Sequence, residues 1–374
     1  NNKYKVKTSH KKNLFLTLGK IICLLNLHKF YEKFIFKIVK KYSRNKQILK
    51  KIKDSSIDYI VVFNPFWVEE PVIAIEAQKL SIPIVSIIPS WDNITTKSRM
   101  VYKSDFYGVW SSIRIKELNE YYPYTLNKDV FVYGAPQYDL FWRDDFKFSK
   151  QQFIDKYNLN PDLPILLYTL GSPLFITTEI DVCIKFCKLA LENDLLDNYQ
   201  VLIRPHPIKD FSTFVSKFNE IDKRIKIQLD VQTPKEQKNR FMNNEMLKNW
   251  VSTFYYSEII VATSSTTILD ASMYNKPHIN ITENLSDDRK YDAFLKDVSY
   301  RFEHLRKLNN EKLLNNVKTW DEFIKQLLLF SQDKKSIMNK SNEIVLHLCE
   351  FQNSGNYGKI FSTQLIKILK TNVE

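Results

Sequence analysis

The chain's 374 residues exceed what a single hydrophobic core usually organises, so two domains of ordinary size are expected. Hydrophobic residues make up 44% and charged residues 26%, a balance that excludes an intrinsically disordered chain. The net charge of +13 is concentrated: residues 1–53 hold 16 lysines and arginines against the single acid Glu32, and the rest is close to neutral.

Four cysteines, Cys23, Cys183, Cys187 and Cys349, show no C-x-x-C spacing and are expected to be reduced core residues of a cytosolic protein. The best candidate for a membrane span, residues 14–27, is too short and is interrupted by Lys20. With no signal-peptide cleavage pattern, the expected location is cytoplasmic, peripheral on the inner face of the membrane.

From Leu14 to about Ile52 the apolar residues Leu18, Ile21, Leu25, Tyr31, Ile35 and Val39 recur at helical spacing between Lys29, Lys33, Lys37 and Lys40. Two compatible readings follow. The helices pack as a surface layer on the first domain, or they present a basic face to anionic lipid, each nearby lysine adding roughly 1 kcal/mol.

Strand and helix patterns then alternate: a β-branched run at Ile57–Phe63, a helix at about Val68–Leu80 and a second strand at Ile84–Ile88. A strand at Tyr107–Trp110 runs into Ser111, placed to cap a helix at Ile113–Tyr121, and Val130–Tyr133 forms another strand ending at Gly134. The polar and aromatic stretch Asp139–Gln152 has the character of a linker. Ile165–Leu170 restarts the alternation, followed by the turn Gly171-Ser172-Pro173, a helix Glu179–Leu191 and a strand Gln200–Ile203. A variable segment reaches about Trp250, and the strand Ile259–Ala262 leads into the helix Thr267–Tyr274.

Four segments carry candidate chemistry. In IIVATSSTTILDASMYNKPHINI (Ile259–Ile281) a strand ends in the hydroxyl run Thr263, Ser264, Ser265 and Thr266, and a helix begins. Backbone N–H groups and a positive dipole end suit a phosphate there, against the alternative of an ordinary hydroxyl-capped helix. Asp270, about one turn in, either accepts from a ribose hydroxyl or faces solvent. In VLIRPHPIKD (Val201–Asp210) a buried strand delivers Arg204 and His206 to the carboxyl edge of its sheet, where open α/β sheets bind ligands. Arg204 suits bidentate phosphate contact, and the prolines flanking His206 stiffen its turn. In LYTLGSP, Gly171 permits close backbone approach and Ser172 can cap the following helix, a weak signal alone. SWDNITTK (Ser90–Lys97) groups Trp91, Asp92, Asn93, Thr95, Thr96 and Lys97, the side chains of sugar recognition with one candidate base; alternatively Asp92 and Asn93 simply form a turn.

The run Gly134-Ala135-Pro136-Gln137-Tyr138-Asp139 fits G-x-P-x-x-D and resembles the interdomain segment of GT-B enzymes such as lipid A disaccharide synthase and UDP-GlcNAc 2-epimerase. RPHP with the later SSTTILD and Lys276-Pro277 resembles the CDP-glycerol glycerophosphotransferase family and related capsule or surface-carbohydrate transferases. SWDN-x-T followed by GAPQ-x-D is similar to bacterial glycosyltransferases of that group. The resemblance spans roughly Ile57 to Ile281. It implies an α/β GT-B chain with two Rossmann-like domains facing a cleft; the basic helical amino-terminal segment, read from the residues themselves, departs from the strand and Gly-rich turn with which such a first domain opens. The expected blocks are residues 1–55, an acceptor domain at 56–140, a nucleotide domain at 141–345 and a helical tail at 346–374.

Carried over by position, the resemblance assigns the donor nucleotide to Gly171, Ser172, Arg204, His206, Ser264, Ser265, Thr266 and Asp270. Asp92 is then the expected catalytic base, with Trp91, Asn93 and Lys97 on the acceptor. The expected activity is transfer from a nucleotide-sugar to a cell-surface glycan or lipid-linked acceptor, with residues 1–53 on an anionic membrane. The nucleotide-sugar is a substrate, so no cofactor is expected, and no strand-end D-x-D calls for a metal. The rivals are CDP-alcohol-dependent polyol-phosphate transfer; from another class, nucleic-acid binding through the basic segment, which lacks a recognised motif; and a catalytically inert GT-B scaffold.

Overall fold

The computed structural model describes residues 27–43, 45–67, 69–171, 179–206, 215–229, 242–263, 265–283, 285, 292–351 and 355–371, with the isolated positions 17, 21, 24 and 25. The chain folds as two compact units, the first holding Asn1–Pro89, Lys97–Val109 and Tyr122–Phe131, the second Ser90–Thr96, Trp110–Tyr121 and Val132–Glu374.

In the first unit, β1 (Ile60–Val62), β2 (Ile84–Ile87), β3 (Phe106–Val109) and β4 (Asp129–Val132) form one sheet in chain order. β1 pairs with β2 and β2 with β3 in parallel. All four residues of β2 are buried, as their apolar run requires of a strand covered on both faces. Helices α1 (His28–Tyr42) and α2 (Lys46–Lys53) precede the sheet, and α3 (Glu69–Lys79) joins β1 to β2.

The basic segment is packed as well as charged. Ile52 is buried with Val62, Ala74, Ile75, Ala77, Ile84 and Tyr102, and Val39 and Ile48 pack against them. The Asn45 side chain caps α2 by accepting from the Ile48 amide at 3.1 Å, while the Asn45 amide donates to buried Glu76 of α3 at 3.0 Å. Lys79 Nζ shares the same Glu76 oxygen at 2.8 Å. Lys33, Lys37, Lys40, Lys41, Lys46, Lys50, Lys51 and Lys53 lie on the outer faces, none of them buried.

The second unit holds a six-stranded sheet of β5 (Ile165–Thr169), β6 (Gln200–Arg204), β7 (Ile225–Ile227), β8 (Ser257–Ala262), β9 (His278–Ile281) and β10 (Asn316–Val317), ordered β10-β9-β8-β5-β6-β7. The pairs β10–β9, β9–β8, β8–β5, β5–β6 and β6–β7 are all parallel. Strands advance outward from β5 through β6 to β7, then restart on the other side with β8. The order therefore reverses between β5 and β8.

The helices of the second unit are α4 (Asn93–Thr96), α5 (Ser112–Tyr121), α6 (Lys150–Tyr157), α7 (Glu179–Glu192), α8 (Val215–Asn219), α9 (Asn244–Tyr256), α10 (Thr267–Met273), α11 (Asp292–Arg301), α12 (Glu303–Asn310), α13 (Trp320–Gln332), α14 (Lys334–Cys349) and α15 (Tyr357–Thr371). α7 buries Val182, Cys183, Phe186, Cys187 and Ala190, the stripe its helical spacing predicts. Cys183, Cys187 and Cys349 are buried free thiols; Cys23 lies outside the described residues.

Several expectations are corrected. The units are not the contiguous blocks 56–140 and 141–345, because Arg114 Nη1 donates to the Trp91 carbonyl at 3.0 Å and Lys307 donates to Glu117 at 3.0 Å, tying residues 90–96 and 110–121 to helices far along the chain. The expected linker is folded: 3₁₀ turns at Pro136–Trp142 and Asp144–Phe146 are held by Phe141, fully buried and stacked on Tyr274 at 4.9 Å, and the Tyr274 hydroxyl donates to the Phe141 carbonyl at 2.6 Å. The segment expected to be variable contains β7 and α9, the latter capped by Asn243, which accepts from the Met246 amide at 2.9 Å. Ser111 donates instead to the His347 carbonyl at 3.1 Å, and the first amide of α5, that of Ser112, donates to the Glu350 carboxylate at 2.9 Å.

The G-x-P-x-x-D run also has a structural role. Asp139 accepts from the amides of Tyr357 at 2.9 Å and Gly358 at 2.7 Å, capping α15. Gly134 has φ 75°, and a Cβ there would run into the Tyr357 ring, so the close seat of that ring requires glycine.

Candidate functional site

In a doubly wound sheet, the carboxyl ends of strands flanking an order reversal splay apart and open a crevice. Here those strands are β5 and β8, with β6 beside β5. β5 ends at Thr169 and continues into Gly171, β8 ends at Ala262 and continues into Thr263, and β6 ends at Arg204, whose carbonyl accepts from the Leu170 amide at 2.9 Å. Residues from three chain segments are thus assembled at one edge by strand pairing alone.

A carboxyl group closes the middle of that edge. Glu179, at the start of α7 and only 3% exposed, accepts from the Gly171 amide at 2.5 Å with one oxygen and from the Thr263 hydroxyl with the other. Burial pushes its pKa up to about 8, against the two hydrogen bonds that favour the charged form. The Gly171 N–H expected to meet a phosphate is therefore held by Glu179. Neighbouring Thr169 and Thr267 hydroxyls lie 3.2 Å apart.

The hydroxyl run at the start of α10 divides its roles. Ser265 Oγ accepts from the Thr267 amide at 3.2 Å, a local cap, while Thr266 is exposed and its side chain makes no cap. Ser264 and Ser172 lie outside the described residues.

Asp270 neither faces solvent nor reaches the edge freely. It is 7% exposed, and its Oδ1 accepts from the Trp250 indole N–H at 2.7 Å. Burial raises its pKa to about 6, opposed by the Arg204 guanidinium and by hydrogen bonds from Trp250 and Tyr138. The reason is the aromatic wall: Tyr138 lies 5.6 Å and Phe141 4.8 Å from the Trp250 ring, leaving the carboxylate inside. Asp270 serves as an interior counter-charge to Arg204. Arg204 itself is half-buried, its guanidinium 5.8 Å from the Phe254 ring centroid, and its buried Nε finds no hydrogen-bond partner among the described residues. An orphan donor of a guanidinium at a sheet edge is unusual and suits an anionic ligand. His206 follows, half-buried, two residues past the strand.

The Ser90–Lys97 segment departs from its expectation. Trp91 is 2% exposed and packs 5.7 Å from the His304 ring, so it is core and not a sugar platform. Asp92 Oδ1 accepts from Ser90 Oγ at 2.6 Å and Asn93 Nδ2 at 3.1 Å, and Oδ2 accepts from Thr96 Oγ1 at 3.0 Å. Asn93 is buried at 7% exposure, and Lys97 is exposed and grouped with the first unit. The carboxylate closes its own turn, so the expected roles of Trp91, Asp92 and Asn93 are not supported: a large indole and a turn-forming Asp-Asn pair satisfy themselves locally.

Beneath it lies a buried ionic group that sequence reading missed. Arg114 and Glu117, each 2% exposed, pair at 2.9 Å, and Lys307 joins Glu117. Burial lowers the pKa of Arg114 and raises that of Glu117 from their ordinary values, each opposed by the other's charge. Nothing in the α5 pattern announced them, since charged residues on a helix ordinarily face water.

No family model matches the chain, and no curated protein matches it at significance. Solved structures do. The UDP co-structure of S. aureus MnaA is 14% identical over 91% of this chain and 83% of that one, with a TM-score of 0.54. A UDP-GlcNAc 2-epimerase from Neisseria meningitidis bound to UDP-GlcNAc is 14% identical, covering 86% and 79%, with a TM-score of 0.52. A putative UDP-N-acetylglucosamine 2-epimerase from Listeria monocytogenes is 11% identical, covering 90% and 77%, also with a TM-score of 0.52. The fold is GT-B.

Within this GT-B chain the expected donor residues Gly171, Arg204, His206, Ser265 and Thr266 belong to one sheet edge, at the ends of β5, β6 and β8. Among the described residues no three His, Cys, Asp or Glu side chains come together as metal ligands, and no helix is long and apolar enough to cross a membrane.

Proposed function

We propose that this GT-B chain is a glycosyltransferase that takes a nucleotide-sugar donor and passes the sugar to a cell-surface glycan or lipid-linked acceptor. The observation that carries this is the orphan Nε of Arg204 at the carboxyl edge beside the β5/β8 reversal. A diphosphate leaving group gains negative charge as the glycosidic bond breaks, and the guanidinium of Arg204, whose charge is felt by buried Asp270, is placed at the edge to stabilise it. The neighbours support the donor class, since two of them are complexes with UDP and UDP-GlcNAc.

A second reading, nucleotide-sugar epimerisation, is favoured by the epimerases among those same neighbours. Both use one donor site and differ in product. In either, Asp92 orders its loop and is not the base.

The basic outer faces of α1 and α2 serve to hold the enzyme at an anionic membrane, where such an acceptor resides. A thermal-shift screen with UDP, GDP, CDP and CMP tests the donor site, because a ligand of the native state alone raises apparent stability by mass action. Product analysis with nucleotide-sugars, alongside CDP-glycerol, then separates transfer, epimerisation and polyol-phosphate transfer. No stabilisation by any nucleotide overturns the reading.

A further inference from the structure

Glu179 joins both sides of the order reversal, taking the amide that follows β5 and the hydroxyl that follows β8. These are the donor types that a phosphate oxygen accepts from, and they converge on two oxygens of one planar group. Resting on the donor-site reading above, we infer that Glu179 is the positioning residue of that site: its carboxyl keeps the Gly171 amide and Thr263 hydroxyl aimed at a common point and cedes them to the diphosphate of a nucleotide.

An anionic carboxylate left beside a diphosphate would repel it, whereas a neutral carboxyl can turn its O–H toward a phosphate oxygen. The surroundings favour the neutral form. Of the described titratable groups that sense its charge, Tyr168 of β5 and Cys183 of α7 are themselves pushed well above their ordinary values by burial, so both stay neutral through mildly alkaline pH. The Gly171 amide and the Thr263 hydroxyl that bond to it carry no charge, and burial is the dominant influence. The proton carried by Glu179 is therefore linked to donor affinity: affinity is full while the group is protonated and falls as pH rises through about 8.

The test is isothermal titration of UDP, GDP and CDP between pH 7 and 9.5 on the full chain and on Glu179→Gln. The wild type should lose roughly thirtyfold in affinity over that range for one linked proton, and the glutamine variant, neutral at every pH, should show a flat profile. Thr263→Val, which keeps the carboxyl and removes one donor, should bind roughly tenfold more weakly at pH 7 yet keep the alkaline decline; it serves if the glutamine variant fails to fold. A flat wild-type profile, or an equal decline in the glutamine variant, overturns the inference while leaving the donor site intact. Absence of binding by all three nucleotides to the wild type overturns the donor-site reading itself, and the inference with it.

Discussion

The two sheets of this chain are built from the same βα alternation, yet among the described residues only one has an order reversal. The four-stranded sheet runs β1-β2-β3-β4 as the chain does, whereas the six-stranded sheet turns back between β5 and β8. The loops that follow their strands differ accordingly. The turn after β2 satisfies itself, with Asp92 accepting from Ser90, Asn93 and Thr96. Past β5 and β8, Glu179 links the Gly171 amide to the Thr263 hydroxyl across strands, and at the end of β6 the buried Nε of Arg204 has no hydrogen-bond partner among the described residues. A strand followed by a polar turn is thus not a site by its composition. The order of the strands decides whether its polar groups meet only one another or stand ready for a ligand.

The largest effect expected is on folding, where the comparison can be sharpened by separating architecture from chemistry. Gly134→Ala places a methyl group against the Tyr357 ring at a φ that favours glycine, and should cost about 2–5 kcal/mol of stability from strain and overpacking together. Denaturant unfolding should show the loss, while nucleotide affinity measured on the folded fraction stays within about twofold, as expected if the G-x-P-x-x-D run anchors α15.

Reversing Lys33, Lys37 and Lys40 to glutamate tests the first unit's role as a docking surface. Losing three lysines at roughly 1 kcal/mol each should by itself weaken co-sedimentation with anionic vesicles by about a hundredfold, and the added carboxylates weaken it further; raised salt weakens it in the wild type too. Nucleotide affinity should not move. Indifference of vesicle binding to both the substitutions and the salt would leave α1 and α2 as packing helices only.

Arg204→Ala addresses the other half of the comparison. Charge-assisted hydrogen bonds are worth about 1.5–3 kcal/mol, so nucleotide should bind roughly 10- to 100-fold more weakly with vesicle binding intact. Because the alanine also leaves Asp270 without its nearby cation, a lower melting temperature is expected too. Wild-type affinity in this variant would remove the observation on which the functional proposal rests.

The smallest effect is predicted for Asp92→Asn. The amide keeps the shape of the turn, so turnover should fall less than about threefold and stability by less than about 1 kcal/mol. A loss of roughly a hundredfold or more in turnover, the signature of a missing general base, would erase the distinction drawn between the two sets of strand-end loops.

Much of the fold is legible along the chain because it is encoded locally. The buried run Ile84–Ile87, the apolar stripe of α7 and the stop at Pro277 before β9 each follow from periodicity and from proline's missing N–H. β7 and α9 escaped because their signals are short or mixed: Ile225–Ile227 is three residues with a central lysine, and the apolar residues of α9 sit among Lys248, Asn249 and Trp250. The aromatic residues of 139–152 suggested a linker by their polar neighbours; packing of Phe141 on Tyr274 made that stretch part of the second unit.

By itself, then, the amino-acid sequence determined the strands and helices with a strong local period, the basic and partly apolar faces of residues 1–53, and the presence of Arg204, His206 and a hydroxyl run at strand ends, all properties of neighbours within a few residues. Only the tertiary structure decided that β5 lies between β6 and β8, that Asp270 is interior beside Trp250 and Arg204, that Trp91 is core, and that Glu179 reaches a threonine 84 residues away. Those outcomes depend on which strands pair and on what burial does to a charge, and neither is written in the spacing of residues along one segment.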